Sequence, residues 1–242
     1  MNDTGEKAMT DHQIVTHDEW ISARRRFLAK EKEFTRLRDE LSRERRELPW
    51  ERVEKEYVFE GENGKETLAD LFGKRSQLIV YHFMYAPDWD IGCRSCSFWA
   101  DNFNGIIAHL NQRDVSMVAV SRAPLQKLQD QARRLGWTFQ WVSSFDNDFN
   151  FDYKVSFSPE MLARSEALYN FGTEKRNSGE LPGVSVFFKD GGEIFHTYSA
   201  YSRGVDILNT AYHYLDIAPK GRDEDALSYP MAWVRHRIAY ES

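Results

Sequence analysis

Large apolar residues recur every seven positions early in the chain: Trp20, Phe27, Phe34, Leu41 and Leu48, with Leu28 and Leu37 widening the stripe. Arg, Lys and Glu fill most of the positions between. A seven-residue repeat keeps one seam along one side of a helix. Thr16 can cap such a helix, Glu19 completes a capping box three residues later, and Pro49 ends it. Two readings stay open. The helix lies along its own domain, or it is a dimerisation arm. Trp20, Phe27, Phe34 and Leu41 are expected to be buried, in part against a second subunit, because a narrow apolar seam on a charged helix suits a partner or a groove. The run Arg24-Arg25-Arg26 reads as a solvated face, since acids interleave throughout.

The pattern then changes period. Tyr57-Val58-Phe59 reads as a strand, followed by the turn Glu62 to Lys65. Thr67 to Phe72 reads as a short helix closed by Gly73-Lys74. Gln77 to Met84 is nearly all apolar, as in a strand buried on both faces. A loop with the turn residues Ala86-Pro87-Asp88 follows. From Cys96 a helix is expected to run to Leu110, with Phe98, Trp99, Phe103, Ile106, Ile107 and Leu110 at helical spacing. Val115 to Val120 is a second buried strand. Pro124 opens a helix that Gly136 stops after Leu135. Phe139 to Val142 is a third strand. Val184 to Phe188, the turn Lys189 to Gly192, and Glu193 to Tyr198 make a hairpin. Val205 to Leu215 is a last amphipathic helix. Alternating strands and helices imply a parallel sheet, and the closing hairpin makes it mixed.

Composition narrows the class. Of 242 residues, 41% are hydrophobic and 29% charged, which is too apolar for a disordered chain. Aromatics at 14% point to a bulky core. A net charge of -6 argues against nucleic acid as a general partner. No run approaches the ~18 apolar residues of a membrane span. Met1 to His17 is polar and lacks the apolar segment of a signal peptide, so the expected compartment is the cytoplasm.

The chain has two cysteines, Cys93 and Cys96, and they are three apart. A secreted disulfide scaffold needs more. Between a buried strand and a helix, the spacing has its own logic. Residues three apart on a first helical turn share a face, so the sulfurs can close a small ring. The partial positive charge at a helix N-terminus favours a thiolate. Arg94 adds a formal charge beside it. Cys93 is then the attacking thiol, and Cys96, one turn in, the resolving thiol. Two other readings stand beside this one. The pair could be inert and buried, or it could be half of a zinc site completed by His82, His109 or His196, none of which shows a ligand-like spacing with another. His82, in an apolar run, reads first as a hydrogen-bonded core histidine. Trp89 and Trp99 flank the pair; either could line a substrate surface, and core packing is the expected role for Trp99.

Leu78 to Cys96 resembles the active-site strand and loop of the thioredoxin and peroxiredoxin superfamily. The loop Tyr85 to Cys93 has the length found in peroxiredoxins, which would put Cys93 at the peroxide-reducing position. Lys189-Asp190-Gly191 is similar to the turn between the last two strands of thioredoxins. More closely, the chain resembles a bacterial thioredoxin-like family of unknown function. That similarity is carried by Tyr81 to Met84, Gly92 to Asn104, Val118 to Ala123, Gly136 to Phe139, Ser185 to Phe187, Phe195 to Tyr198 and Lys220 to Glu224. Departures are visible. Asp90 stands where peroxiredoxins carry Thr or Ser, and Pro87 lies later than their proline. Ser185 to Phe188 offers no arginine for a peroxide, and Arg122 is the candidate substitute. The cis-proline position of thioredoxins falls on Gly183, next to Pro182.

The resemblance implies a thioredoxin-like three-layer α/β/α sandwich with a mixed central sheet, an N-terminal helical extension over 1–50, the domain itself over 51–218, and a tail over 219–242 packed on the domain or a neighbouring subunit. The function expected is a thiol-disulfide oxidoreductase, or a thiol-dependent reductase of a small oxidant. Its site residues would be Cys93 and Cys96, supported by Arg94, Trp89, Arg122 and His82. No cofactor, metal, membrane or nucleic acid is called for, and the partner would be a small-molecule or protein thiol or disulfide. The alternative is a thioredoxin-fold protein that binds a ligand in the cleft beside Cys93 without catalysis.

Overall fold

Helix formation at the N-terminus follows from its cap. In the computed structural model, which describes residues 12–240, α1 spans His17–Arg46. Thr16 Oγ1 accepts the Glu19 amide at 3.4 Å, and the Glu19 carboxylate accepts the Thr16 amide at 2.9 Å. Asp18 and Glu19 sit in the first turn and Arg43, Arg45 and Arg46 in the last, each sign matching the helix dipole. No residue of α1 is buried, and Trp20, Phe27, Phe34 and Leu41 are all exposed, Phe34 at 66%. The chain divides after Leu48 into two compact units, of which α1 belongs to the first. Residues 1–11 of the polar leader and the last two residues of the tail lie outside the described residues.

The second unit is built on a mixed sheet. Its strands are β1 (Glu51–Arg52), β2 (Val58–Gly61), β3 (Gly64–Thr67), β4 (Gln77–His82), β5 (Val115–Ser121), β6 (Trp141–Ser143), β9 (Gly183–Asp190) and β10 (Glu193–Tyr201), in the order β1-β10-β9-β4-β5-β6-β2-β3. The strands β4, β5 and β6 are parallel, with Val80 opposite Val118; β9 runs antiparallel to β4, with Val80 opposite Ser185, and β10 runs antiparallel to β9. This is the thioredoxin-like arrangement: strand, helix, parallel strand, then a closing hairpin in one sheet.

Period-2 alternation splits the core. Tyr81, Phe83, Met117, Ala119 and Trp141 face one side, where α2 (Arg94–Ala100), α3 (Phe103–Asn111) and α4 (Leu125–Leu135) pack on them. Tyr212 and Leu215 of α7 (Thr210–Ile217) belong to the same cluster. Leu78, Val80, Val118, Val120 and Val142 face the other side. That face is covered more thinly, by Tyr57 and Phe59, a 3-10 turn at Asp70–Phe72, and α5 (Phe149–Asp152). Between β6 and β9 lie α5, α6 (Pro159–Ala163) and a small hairpin of β7 (Leu168–Tyr169) and β8 (Glu174–Lys175). They fold over a third cluster formed by Val155, Phe157, Ala167, Tyr169 and Tyr201.

Three expected helices are interrupted or begin late, each at a polar residue whose side chain is hydrogen-bonded there. The helix after the cysteines breaks at Asp101–Asn102. Asp101 there accepts Trp137 Nε1 at 2.8 Å and Arg237 at 2.7 Å. The last helix starts at Thr210, because buried Asn209 caps it and accepts the Tyr212 amide at 3.0 Å. Thr67 ends a strand, and the Asp70 carboxylate accepts both its amide and its hydroxyl, at 2.8 and 2.7 Å. Gly136 stops α4 as expected, in the left-handed conformation at φ 63°. The tail packs on α2 and α7. Trp233 stands edge-on to Phe98, and Glu224 accepts from Trp233 Nε1 at 2.6 Å and from the Tyr212 hydroxyl at 2.7 Å.

Candidate dithiol site

β4 ends in the core, and the chain leaves it through a loop that is stapled along its length. Ala123 donates its amide to Tyr85 O at 2.8 Å, and the Tyr85 hydroxyl donates to Asp90 O at 3.0 Å. Lys127 Nζ donates to Pro87 O at 3.0 Å and Trp89 O at 2.7 Å. The Cys93 amide then donates back to Met84 O at 3.0 Å, which folds the loop onto the strand end. Cys93 is the residue before α2, and the Ser97 amide donates to its carbonyl at 3.0 Å.

This placement makes the two thiols unequal. Cys93 is half-buried and Cys96 buried, and neither is in a disulfide. Cys93 lies well below the ordinary thiol value. The Cys96 thiol donates to its sulfur, outweighing the cost of burial, and the backbone amides of Cys96 and Ser95 add to this. Cys96 is held well above that value, by burial first and then by its role as donor to Cys93. The Met84 amide meets the Cys96 sulfur at 3.5 Å, and the buried Tyr81 hydroxyl also bonds to it. Cys93 is therefore biased toward the thiolate, and Cys96 toward the thiol.

Two contributors escaped the sequence reading. Gln131 lies on the buried stripe of α4 with Leu128 and Leu135. Its side-chain carbonyl accepts the Gly92 amide at 2.7 Å, and its Nε2 reaches Ser97 Oγ at 3.5 Å. Ser97 Oγ in turn donates to Cys93 O at 3.0 Å. Gly92 is needed for this approach, since a Cβ there would come within 2.8 Å of the Phe83 ring and 2.9 Å of Gln131 Oε1. A glutamine at a core position of an amphipathic helix was the available signal for the first. Tyr81, in an uninterrupted apolar run, gave none.

The supporting candidates go to different places. Trp89 is half-buried and packs on the same core cluster as the cysteines. The Arg94 guanidinium donates to the Tyr229 hydroxyl, which ties the tail to the first turn of α2. Arg122 pairs with buried Glu180 at 3.0 Å and stacks over Phe151 at 4.3 Å. Burial raises Glu180 to about 7 against the opposing pull of Ser156 and Arg122. His82 points to the opposite face of the sheet from the cysteines, against Phe149 and Tyr153. A chain of hydrogen bonds links it to Ser185 at 2.8 Å, Ser199 at 2.9 Å and His196 at 2.7 Å. His82 and His196 thus share one network, away from the thiols. Among the described residues no three His, Cys, Asp or Glu side chains gather as metal ligands, and no helix is long and apolar enough to cross a membrane.

The profile of a family described as "Bacterial protein of unknown function (DUF899)" matches residues 9–240. No curated protein matches. Among solved structures, the chain is similar to a peroxidoxin, BcpB, of Mycobacterium tuberculosis, at 12% identity and TM-score 0.48, over 66% of this chain and 93% of that one. It is similar to a mutant of Xanthomonas campestris peroxiredoxin Q at 16% identity and TM-score 0.45, over 66% and 89%. A mitochondrial 2-Cys peroxiredoxin of Plasmodium falciparum matches at 15% identity and TM-score 0.39, over 69% and 92%. Such likeness carries no activity and no residue role into this chain.

Proposed function

The chain belongs to this bacterial family of unknown function, and we propose that it acts as a cytoplasmic dithiol oxidoreductase that reduces a disulfide or a small peroxide. The observation that carries this reading is the unequal placement of the two thiols: Cys93 half-buried at the N-terminus of α2, Cys96 buried one turn in, with Cys93 lowered and Cys96 raised accordingly. With a disulfide substrate, the Cys93 thiolate attacks one sulfur, the substrate S–S bond breaks, and the first substrate thiol leaves with a proton. Cys96 then gives up its proton and attacks the Cys93 sulfur. The second substrate thiol departs, and a Cys93–Cys96 disulfide remains. Two electrons pass from the pair to the substrate. With a peroxide, the Cys93 sulfur bonds the distal oxygen as the O–O bond breaks, water or an alcohol leaves with a proton, and attack by Cys96 on the resulting sulfenic acid expels water to give the same disulfide. An external thiol reductant returns the pair to the dithiol.

The disulfide substrate is favoured by the state of Arg122. Its guanidinium is already paired with Glu180 and stacked on Phe151, rather than held open for an oxyanion. Trp89 and Arg94 would border the substrate, and residues 51–218 would form the working domain, with 1–50 and 219–242 as additions. The test is mass spectrometry of the reduced protein after oxidised glutathione or hydrogen peroxide. Wild type should gain an internal disulfide. Cys96→Ser should hold a mixed disulfide, or a sulfenic or higher acid, on Cys93. Cys93→Ser should not react. Comparing rates with the two oxidants identifies the substrate class. Absence of reaction with both would leave a thioredoxin-fold protein that binds without turnover.

A further inference from the structure

We propose that α1 pairs with α1 of a second copy of this chain as a parallel, in-register coiled coil. The seam is the seven-residue series Trp20, Phe27, Phe34 and Leu41, exposed along a helix that has no buried residue. Taking these as the a positions puts Ala23, Lys30, Leu37 and Glu44 at d, Arg24, Glu31, Arg38 and Arg45 at e, and Glu19, Arg26, Glu33 and Glu40 at g.

Orientation follows from the flanking charges. In a parallel dimer each g residue faces the e residue five positions later in the other helix. Arg26 then faces the partner's Glu31, Glu33 faces the partner's Arg38, and Glu40 faces the partner's Arg45. Symmetry repeats each pair, and all are of opposite sign. Glu19 faces the partner's Arg24 with the same sign pattern, although it is already engaged in the cap with Thr16. An antiparallel dimer sets e against e and g against g. Three of the four e residues are Arg and three of the four g residues are Glu, so that arrangement brings mostly like charges together. Lys30 and Glu44 interrupt the d positions. Such polar insertions weaken a coil while restricting its register, so the association should depend on concentration.

The test uses the full-length chain in sedimentation equilibrium, with circular dichroism and Cys93 alkylation as checks that each variant is folded. Wild type should be dimeric. Glu33→Arg and Arg38→Glu should each raise the dimer dissociation constant at least tenfold, because each sets like charges opposite one another twice. A one-to-one mixture of these two variants should recover wild-type affinity, since every g–e contact in the mixed dimer is again of opposite sign. The double variant Glu33→Arg/Arg38→Glu should also recover it. A monomeric wild type would overturn the proposal by assigning the seam to its own chain or to a different partner. A dimer indifferent to the single reversals would place the interface elsewhere. Failure of the mixture to recover would overturn the parallel register.

Discussion

Gln131 and Gly92 meet at 2.7 Å, side-chain carbonyl to backbone amide, one residue ahead of Cys93. The bond reaches across from α4 and fixes the turn that aims Cys93 at α2. The position of the thiol therefore depends on a helix that follows it in sequence by more than thirty residues.

Gln131→Leu keeps the volume but leaves the Gly92 amide without its acceptor in the core. An unsatisfied buried donor costs about 1–3 kcal/mol. The variant should lose that much stability in urea and alkylate more slowly at Cys93. Gly92→Ala should behave alike, since its Cβ would press on Phe83 and Gln131. Wild-type denaturation and alkylation in both variants would remove Gln131 from the site.

Alkylation as a function of pH reads the thiols directly. In wild type, Cys93 should react with an inflection below the free-thiol value of about 8.5, and Cys96 should remain slow through neutral pH. The largest cause of the lowering is the hydrogen bond from Cys96. Cys96→Ala should therefore move the Cys93 inflection upward. Cys96→Ser, which keeps a donor, should move it less. An unmoved inflection in Cys96→Ala would assign the effect to the backbone amides alone.

The sheet and the cysteine turn were legible because their signals are local. Leu78 to Met84 is apolar except for His82, and Gly136 has the one conformation that stops a helix there. The Cys-x-x-Cys spacing needs only a strand before it and a helix after. The segment between β6 and β9 was not legible. Its elements are four or five residues or fewer, too short to show a period, and they are held by contacts such as Tyr169 with Tyr201, thirty-two positions apart. Asp101, Asn102 and Asn209 broke helices whose apolar spacing continued past them: Asp101 through distant partners such as Arg237, Asn102 and Asn209 through local side-chain bonds to the backbone. Which strand face His82 takes is fixed only by register, and a single-residue change of register would reverse it.

His82 makes an acid-sensitivity prediction. Burial, and then the nearby His196, depress it from 6.5 to about 3. A histidine lowered in the fold binds fewer protons there than in the unfolded chain. Its contribution is full above 6.5 and is lost as pH falls toward 3, by about 1.4 kcal/mol per pH unit. His82→Gln does not charge and retains a partner for Ser185. The stability of wild type relative to this variant should fall below pH 6.5, measured by urea denaturation at a series of pH values. Parallel curves would mean that His82 protonates in the fold as easily as in the unfolded chain.

Glu180 carries the opposite slope. Burial raises it from 4.5 to about 7, although Ser156 donates to it at 2.7 Å and Arg122 at 3.0 Å. A carboxyl raised in the fold holds its proton there at a pH where the unfolded chain has released it. Its contribution is full below 4.5 and is lost as pH rises through about 7, after which both states are ionised and the difference is constant. The slope is again about 1.4 kcal/mol per pH unit within that window. Glu180→Gln keeps a carbonyl for Arg122 and cannot ionise. Wild type should therefore lose stability relative to this variant between pH 5 and 7, and the gap should level off above 7.5. The opposite trend, with wild type gaining as pH rises, would mean that the Arg122 ion pair outweighs burial and that Glu180 is ionised throughout the neutral range. Because the His82 and Glu180 slopes differ in sign, the double variant His82→Gln/Glu180→Gln should depend on pH in this range only through the remaining carboxylates and histidines. The double-variant curve checks both assignments together, and a departure from additivity would measure coupling between the two sites.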